Sequence, residues 1–104
     1  MSEKYIVRLP WGEESLPSPI TQKGFRWDAG MAWMDWKRGE SNLKGKRPEF
    51  RLYHVVNGKK GPLAGRVVFY DPFPVWFDAQ GRAYTYKRDG TIVDRIPDDV
   101  IRGA

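Results

Sequence analysis

Cysteine is absent from this chain. That excludes a disulfide framework and thiolate metal sites, and it fits a reducing compartment. Histidine occurs once, as His54, which leaves little basis for a zinc site. No apolar run approaches the ~18 residues of a membrane-crossing helix. The first residues, MSEKYIVRLPWGEE, contain no secretory apolar region, so the expected compartment is the cytoplasm with no membrane partner. GxSxG, Walker A and GxGxxG patterns are missing. Gly58-Lys59-Lys60-Gly61 has the glycine and lysine of a phosphate loop, but neither its spacing nor its following Ser or Thr. There is no internal repeat and no low-complexity segment. Nothing here implies a cofactor.

What the chain does have is aromatic residues and unevenly placed charge. Five Trp, five Tyr and five Phe occur in 104 residues. That is enough apolar area for one domain, residues 1–104, with a single modest core. The formal net charge is +5. It is concentrated between Lys37 and Arg66, where nine cations stand against two acids. The flanks, 1–36 and 67–104, carry −1 each. Segregated positive charge of this kind favours a polyanionic partner.

The pattern along the chain predicts strands separated by turn signals. Lys4–Leu9 alternates apolar and mixed residues and ends at Pro10. Residues 12–19 read as a loop, with Glu13 and Glu14 in solvent. Ile20–Trp27 suits a single helical turn after Ser18-Pro19, stopped by Gly24. Asp28–Lys37 is a short apolar run whose period leaves two options. Weakened as a helix by Gly30, it is read here as a strand. A helix capped by Asp28 would instead put Ala29, Ala32, Trp33 and Trp36 on one side. Residues 39–48 form a basic loop. Glu49–Val56 is a strand with Phe50, Leu52, His54 and Val56 on one face and Arg51, Tyr53 and Val55 on the other. Asn57-Gly58 signals a hairpin, but Gly61-Pro62 points to a longer, flexible loop over 57–65 displaying Lys59 and Lys60. A meander follows: strands at 66–70, 75–78, 82–87 and 91–96, a bend at 71–74, turns at 79–81 and Asp89-Gly90, and a short helix after Pro97. The fold class is mostly β, α+β at most. It is expected as a small twisted antiparallel sheet or partly open barrel with a C-terminal meander and one short helix.

Candidate chemistry is sparse. His54 shares its strand face with core-like residues and reads as structural. Asp71 and Asp78 bracket a bend. Two carboxylates can hold Mg²⁺, but turn-initiating aspartates are the commoner case. The chain reads as non-catalytic.

Two local resemblances bear on function. Gly24-Phe25-Arg26-Trp27-Asp28 with Trp33 resembles the "GFRWD…W" element of small modules found beside DNA-processing domains. In those modules a short helix and a turn lead to a strand carrying the second Trp. The run Asn42-Leu43-Lys44-Gly45, Glu49-Phe50-Arg51-Leu52 and Gly65-Arg66-Val67-Val68-Phe69-Tyr70 is similar to the central hairpin of RelE-type mRNA interferase toxins. That family places a pair of helices ahead of the hairpin, where residues 1–42 here have prolines at 10, 17 and 19 and no clean helical period.

The expected function is therefore binding of RNA or DNA. Lys37, Arg38, Lys44, Lys46, Arg47, Arg51, Lys59, Lys60 and Arg66 would contact phosphates, and Trp36 and Tyr53 would stack on bases. One alternative is a phage- or mobile-element-type protein-interaction module or inhibitor, with Trp and Arg as hot spots and an acidic protein partner. The other is a RelE-like metal-free RNase using Arg51, Tyr53, His54, Lys59, Lys60 and Arg66.

Overall fold

A computed structural model describes residues 3–39 and 47–102, of which 101 and 102 by their backbone alone. Six strands form one open antiparallel sheet in sequence order: β1 (Tyr5–Arg8), β2 (Glu49–Val56), β3 (Lys59–Phe69), β4 (Pro74–Asp78), β5 (Ala83–Tyr86) and β6 (Ile92–Ile96). Helix α1 (Gln22–Lys37) lies between β1 and β2 in sequence, and α2 (Asp98–Arg102) ends the chain. The fold class expected from the sequence is the one observed. No helix among the described residues is long and apolar enough to cross a membrane.

Helix α1 differs from expectation. Residues 28–37 are helical, not a strand, and the helix begins well before them. Its cap is Thr21, whose side chain accepts the Gly24 N–H at 2.9 Å, so neither Ser18-Pro19 nor Asp28 starts it. Gly24 lies inside the first turn and does not stop it. The chain has no proline between Pro19 and Pro48 to interrupt the turn-by-turn hydrogen bonds. Phe25, Ala29, Ala32 and Trp36 follow the 3.6-residue period and pack against the sheet. Burial of that stripe outweighs the ~1 kcal/mol that each glycine costs a helix. The Gly24-to-Trp33 element accordingly lies on one helix, with no turn or strand inside it.

The segment after β2 is also a correction. Asn57 and Gly58 have φ of 52° and 76°, the two positive values of a tight type I′ hairpin. Strand β3 starts at once and runs through Gly61-Pro62, so Lys59 and Lys60 are strand residues rather than loop residues. Pro62 is tolerated because the register slips there: Val55 pairs with Lys60 but Tyr53 with Leu63. At such a bulge a missing N–H costs the ladder nothing.

Side chains alternate between two apolar clusters, one on each sheet face. Under α1 lie Tyr5, Phe25, Ala29, Phe50, Leu52, Ala64, Val67, Phe69 and Trp76. On the opposite face Val68, Val75, Phe77, Ala83 and Ile96 form a second cluster toward the β3–β6 end. Two of the directed contacts that hold the helix over its cluster are made by indole and guanidinium groups. Trp33 Nε1 donates to the Tyr70 carbonyl at 2.8 Å, and the buried Arg26 donates through Nε to the Gly90 carbonyl at 2.7 Å. The outer edge of β1 is covered by residues 13–18, which bridge back to it at Tyr5–Ser18 and Arg8–Glu14.

Candidate nucleic-acid interface

The sheet face away from α1 is apolar at one end and cationic at the other. Strand alternation produces the division. Phe50 and Leu52 of β2 point under the helix, so Glu49, Arg51 and Tyr53 point to the open side. Register then extends the pattern sideways. Arg8 of β1 stands opposite Arg51 of β2, Arg51 opposite Arg66 of β3, and Arg66 opposite Phe77 of β4. Three arginines thus form one transverse row that ends on an aromatic ring.

Like charges directly opposite one another on neighbouring strands oppose sheet formation. Here one carboxylate offsets part of that repulsion. Arg66 Nη1 donates to Glu49 Oε2 at 3.0 Å and Arg51 Nη2 to Glu49 Oε1 at 3.3 Å. The Arg66 guanidinium also lies 4.3 Å above the Phe77 ring. Two further cations lie beside aromatics of the same face. Lys60 Nζ is 4.8 Å from the Tyr53 ring and 2.8 Å from Glu14 Oε2, and Arg47 is 4.0 Å above Tyr70. Among the described residues, Arg8, Arg47, Arg51, Lys60 and Arg66 have Glu14 and Glu49 as their ion-pair partners.

The field of this cluster is visible in its ionisable groups. Partial burial works to raise the Glu49 carboxyl, but hydrogen bonds and charge from Arg66 and Arg51 outweigh it and hold the group below its ordinary value. The Tyr53 phenol is also held below its ordinary value, first by a hydrogen bond from Arg51 (3.5 Å to the hydroxyl) and then by the positive charge of Arg51 and Lys60 and a contact to Arg8. Arg51 is raised in turn by Tyr53 and Glu49.

Of the residues expected at a site, the structure brings Arg47, Arg51, Tyr53, Lys60 and Arg66 onto this one face. Lys59 follows the Asn57-Gly58 turn at the tip of the β2–β3 hairpin and is exposed. Trp36, Lys37 and Arg38 lie elsewhere, at the C-terminal end of α1. Trp36 is half-buried with its ring 5.6 Å from Phe69. Lys37 is bonded to Asp71, and Arg38 Nη2 reaches Asp35 at 2.7 Å. Lys44 and Lys46 lie outside the described residues. His54 is on the helix side, 5.4 Å from the Tyr5 ring, and so stands apart from the arginine row.

Five members of the cluster were missing from the sequence-based set: Arg8, Glu14, Glu49, Tyr70 and Phe77. Arg8 alternates outward on a recognisable strand, but only the pairing of β1 with β2 places it beside Arg51. Asp71 and Asp78 serve other contacts. Asp78 Oδ1 accepts the backbone N–H groups of Gln80 and Arg82, and its Oδ2 accepts the Tyr84 hydroxyl. Among the described residues no group of three or more His, Asp or Glu side chains is placed to hold a metal ion.

No protein-family model, no curated protein and no solved structure matches this chain.

Proposed function

We propose that this protein binds nucleic acid across the open face of its sheet, with Arg8, Arg51 and Arg66 taking successive phosphates and Tyr53 packing against a base. The observation that carries the reading is the register Arg8–Arg51–Arg66. A row of three guanidinium groups with one shared carboxylate works against the sheet that holds it, and an anionic ligand removes the repulsion. The row is transverse to the strands, so adjacent guanidinium groups are about a strand spacing apart, ~5 Å.

The test is fluorescence anisotropy of labelled single-stranded RNA and duplex DNA at ~50 and ~200 mM salt. Three neutralised phosphates give a log–log salt slope of about −2 on a single strand. Arg51→Gln and Arg66→Gln each flatten it by about 0.7. No binding of either nucleic acid at the lower salt overturns the reading and leaves the cationic face for an acidic protein partner.

One observation favours a second reading, RNA cleavage without a metal. Tyr53 is an acidified phenol against Arg51, and Glu49 lies between Arg51 and Arg66. A proton-transfer group beside guanidinium groups that stabilise phosphorane charge is the chemistry such cleavage requires. Tyr53→Phe would then keep RNA binding and lose cleavage of a labelled strand. An intact strand after prolonged incubation with the unaltered protein removes this reading.

A further inference from the structure

Helix α1 turns a second apolar strip away from the sheet. Phe25, Ala29, Ala32 and Trp36 pack against the sheet. At about 100° of turn per residue, Trp27, Met31 and Met34 come up on the other side of the same helix. Trp27 is 53% exposed and Met31 48%. Phe73, from the bend before β4, is 41% exposed and lines a hollow with Met34. Large apolar side chains gathered in one exposed strip mark an interaction surface more than scattered ones do.

Beside the strip runs a groove. Its near wall is α1 from Lys23 to Met34, about 16 Å of helix. Its far wall is the β5–β6 turn. There Arg88 lines both an open hollow of about 530 Å³ with Lys23 and Trp27 and one of about 270 Å³ with Met34 and Phe73. The turn is pinned to the helix. Its Gly90 carbonyl accepts from buried Arg26 at 2.7 Å. A β-carbon on Gly90 would stand 2.3 Å from the Lys23 carbonyl oxygen, so turn backbone rests on helix backbone. The two walls are therefore set before any partner arrives, which lowers the cost of binding.

The groove carries an excess of positive charge. Lys23, Lys87 and Arg88 line it against Asp89. Asp89 is engaged by Lys23 at 4.0 Å and by the Thr91 N–H at 3.0 Å. Lys87 and Arg88 are exposed and make no ion pair among the described residues. The acids of the helix, Asp28 and Asp35, fall on the flank away from the turn.

We propose that this groove takes an acidic amphipathic segment of a partner protein. Its apolar side chains lie against Trp27, Met31 and Phe73, and its carboxylates meet Lys87 and Arg88. Charge complementarity selects the sign of the partner. Trp and Arg are the residue types on which interface energy concentrates, and methionine adapts to apolar side chains of varied shape. A nucleic-acid strand would use the cations but leave Met31 and Phe73 uncovered. A second copy of this chain, groove to groove, would bring Lys87 and Arg88 against their like. The length of the wall suits a helix of about three turns. The groove is on the helix side of the sheet and does not use the arginine row.

Selection from a displayed library of random peptides about twelve residues long, with the full chain as bait, tests the proposal. Fluorescence anisotropy then measures the affinity of the enriched peptides. These are expected to combine acidic residues with apolar ones at helical spacing. Trp27→Ala should weaken their binding at least ~10-fold. Lys87→Glu with Arg88→Glu should weaken it as much. All three positions are exposed, so circular dichroism and the melting temperature should stay as they are. Arg51→Gln with Arg66→Gln, which strips charge from the opposite face, should leave peptide binding unchanged. The proposal is overturned if no peptide is enriched, if the peptides bind Trp27→Ala as they bind the unaltered protein, or if they need Arg51 and Arg66. Sedimentation equilibrium and anisotropy with single-stranded RNA examine the other occupants. A dimer that Trp27→Ala dissociates assigns the groove to a second copy, and RNA binding that Trp27→Ala weakens assigns it to a strand. Either result overturns the proposal.

Discussion

Gly65 of β3 is pressed against Trp76 of β4: a β-carbon at position 65 would stand 2.1 Å from Trp76 Cη2 and 2.8 Å from the Phe77 carbonyl oxygen. The largest fully buried side chain of the core therefore occupies space that only a glycine leaves free. Neither neighbour has room to withdraw, because Trp76 is also packed edge-on to Phe25 at 5.9 Å and lies beneath Arg26. Gly65→Ala is expected to destabilise the fold by 1–3 kcal/mol or about that order, the cost of overpacking a dense core. Urea unfolding followed by Trp fluorescence measures it, with a lowered midpoint and an unchanged slope.

The start of α1 depends on one hydroxyl. Thr21 Oγ1 accepts the Gly24 N–H, an otherwise unpaired donor of the first turn. Thr21→Ala is expected to cost ~1 kcal/mol, and Thr21→Ser to restore most of it. Far-ultraviolet circular dichroism during thermal unfolding separates the two variants.

Glu49 links the arginine row to acid stability. Its carboxyl ionises below its ordinary value of 4.5 in the folded chain because Arg66 and Arg51 donate to it. A group depressed by folding contributes above its unfolded pKa and loses that contribution as pH falls through the folded value. Glu49→Gln is expected to cost about 1 kcal/mol at pH 7, a charged hydrogen-bond contribution reduced by water contact. The difference from the unaltered protein should shrink steadily below pH 4.5. Denaturant titrations at several pH values check this, and a difference that stays constant with pH would contradict it.

Tyr53 should ionise before Tyr5 and Tyr86. Tyr53 is held low by Arg51, whereas burial raises both Tyr5 and Tyr86. An alkaline titration of tyrosinate absorbance should lose its earliest component in Tyr53→Phe. In Arg51→Gln that component should move to higher pH. The first change removes the group, and the second removes the charge that acidifies it.

Much of the β meander was legible because its signals are local. Glu49–Val56 alternates cleanly, and Asp89-Gly90 and Ala79-Gln80-Gly81 are turn chemistry. Helix α1 was harder because its two glycines weigh against it over a short window, whereas the stripe Phe25, Ala29, Ala32 and Trp36 spans three turns. The β2–β3 hairpin was obscured by Gly61-Pro62, which a bulge accommodates only in the presence of its partner strand. The candidate site was half legible. Arg51, Tyr53 and Arg66 stand close in sequence, and their types are telling. Arg8 joins them through a register between strands more than forty residues apart, which no local pattern encodes.

The two margins of the sheet are unequal. Residues 13–18 occupy the outer side of β1, while among the described residues no strand pairs with the outer side of β6. Polymerisation by strand addition needs two free margins on each molecule, one to give and one to receive. With a single free margin, two copies can meet only β6 to β6, and that contact consumes the margin on both. Edge-to-edge growth of this sheet closes at a pair, and a fibre would first require residues 13–18 to peel away from β1.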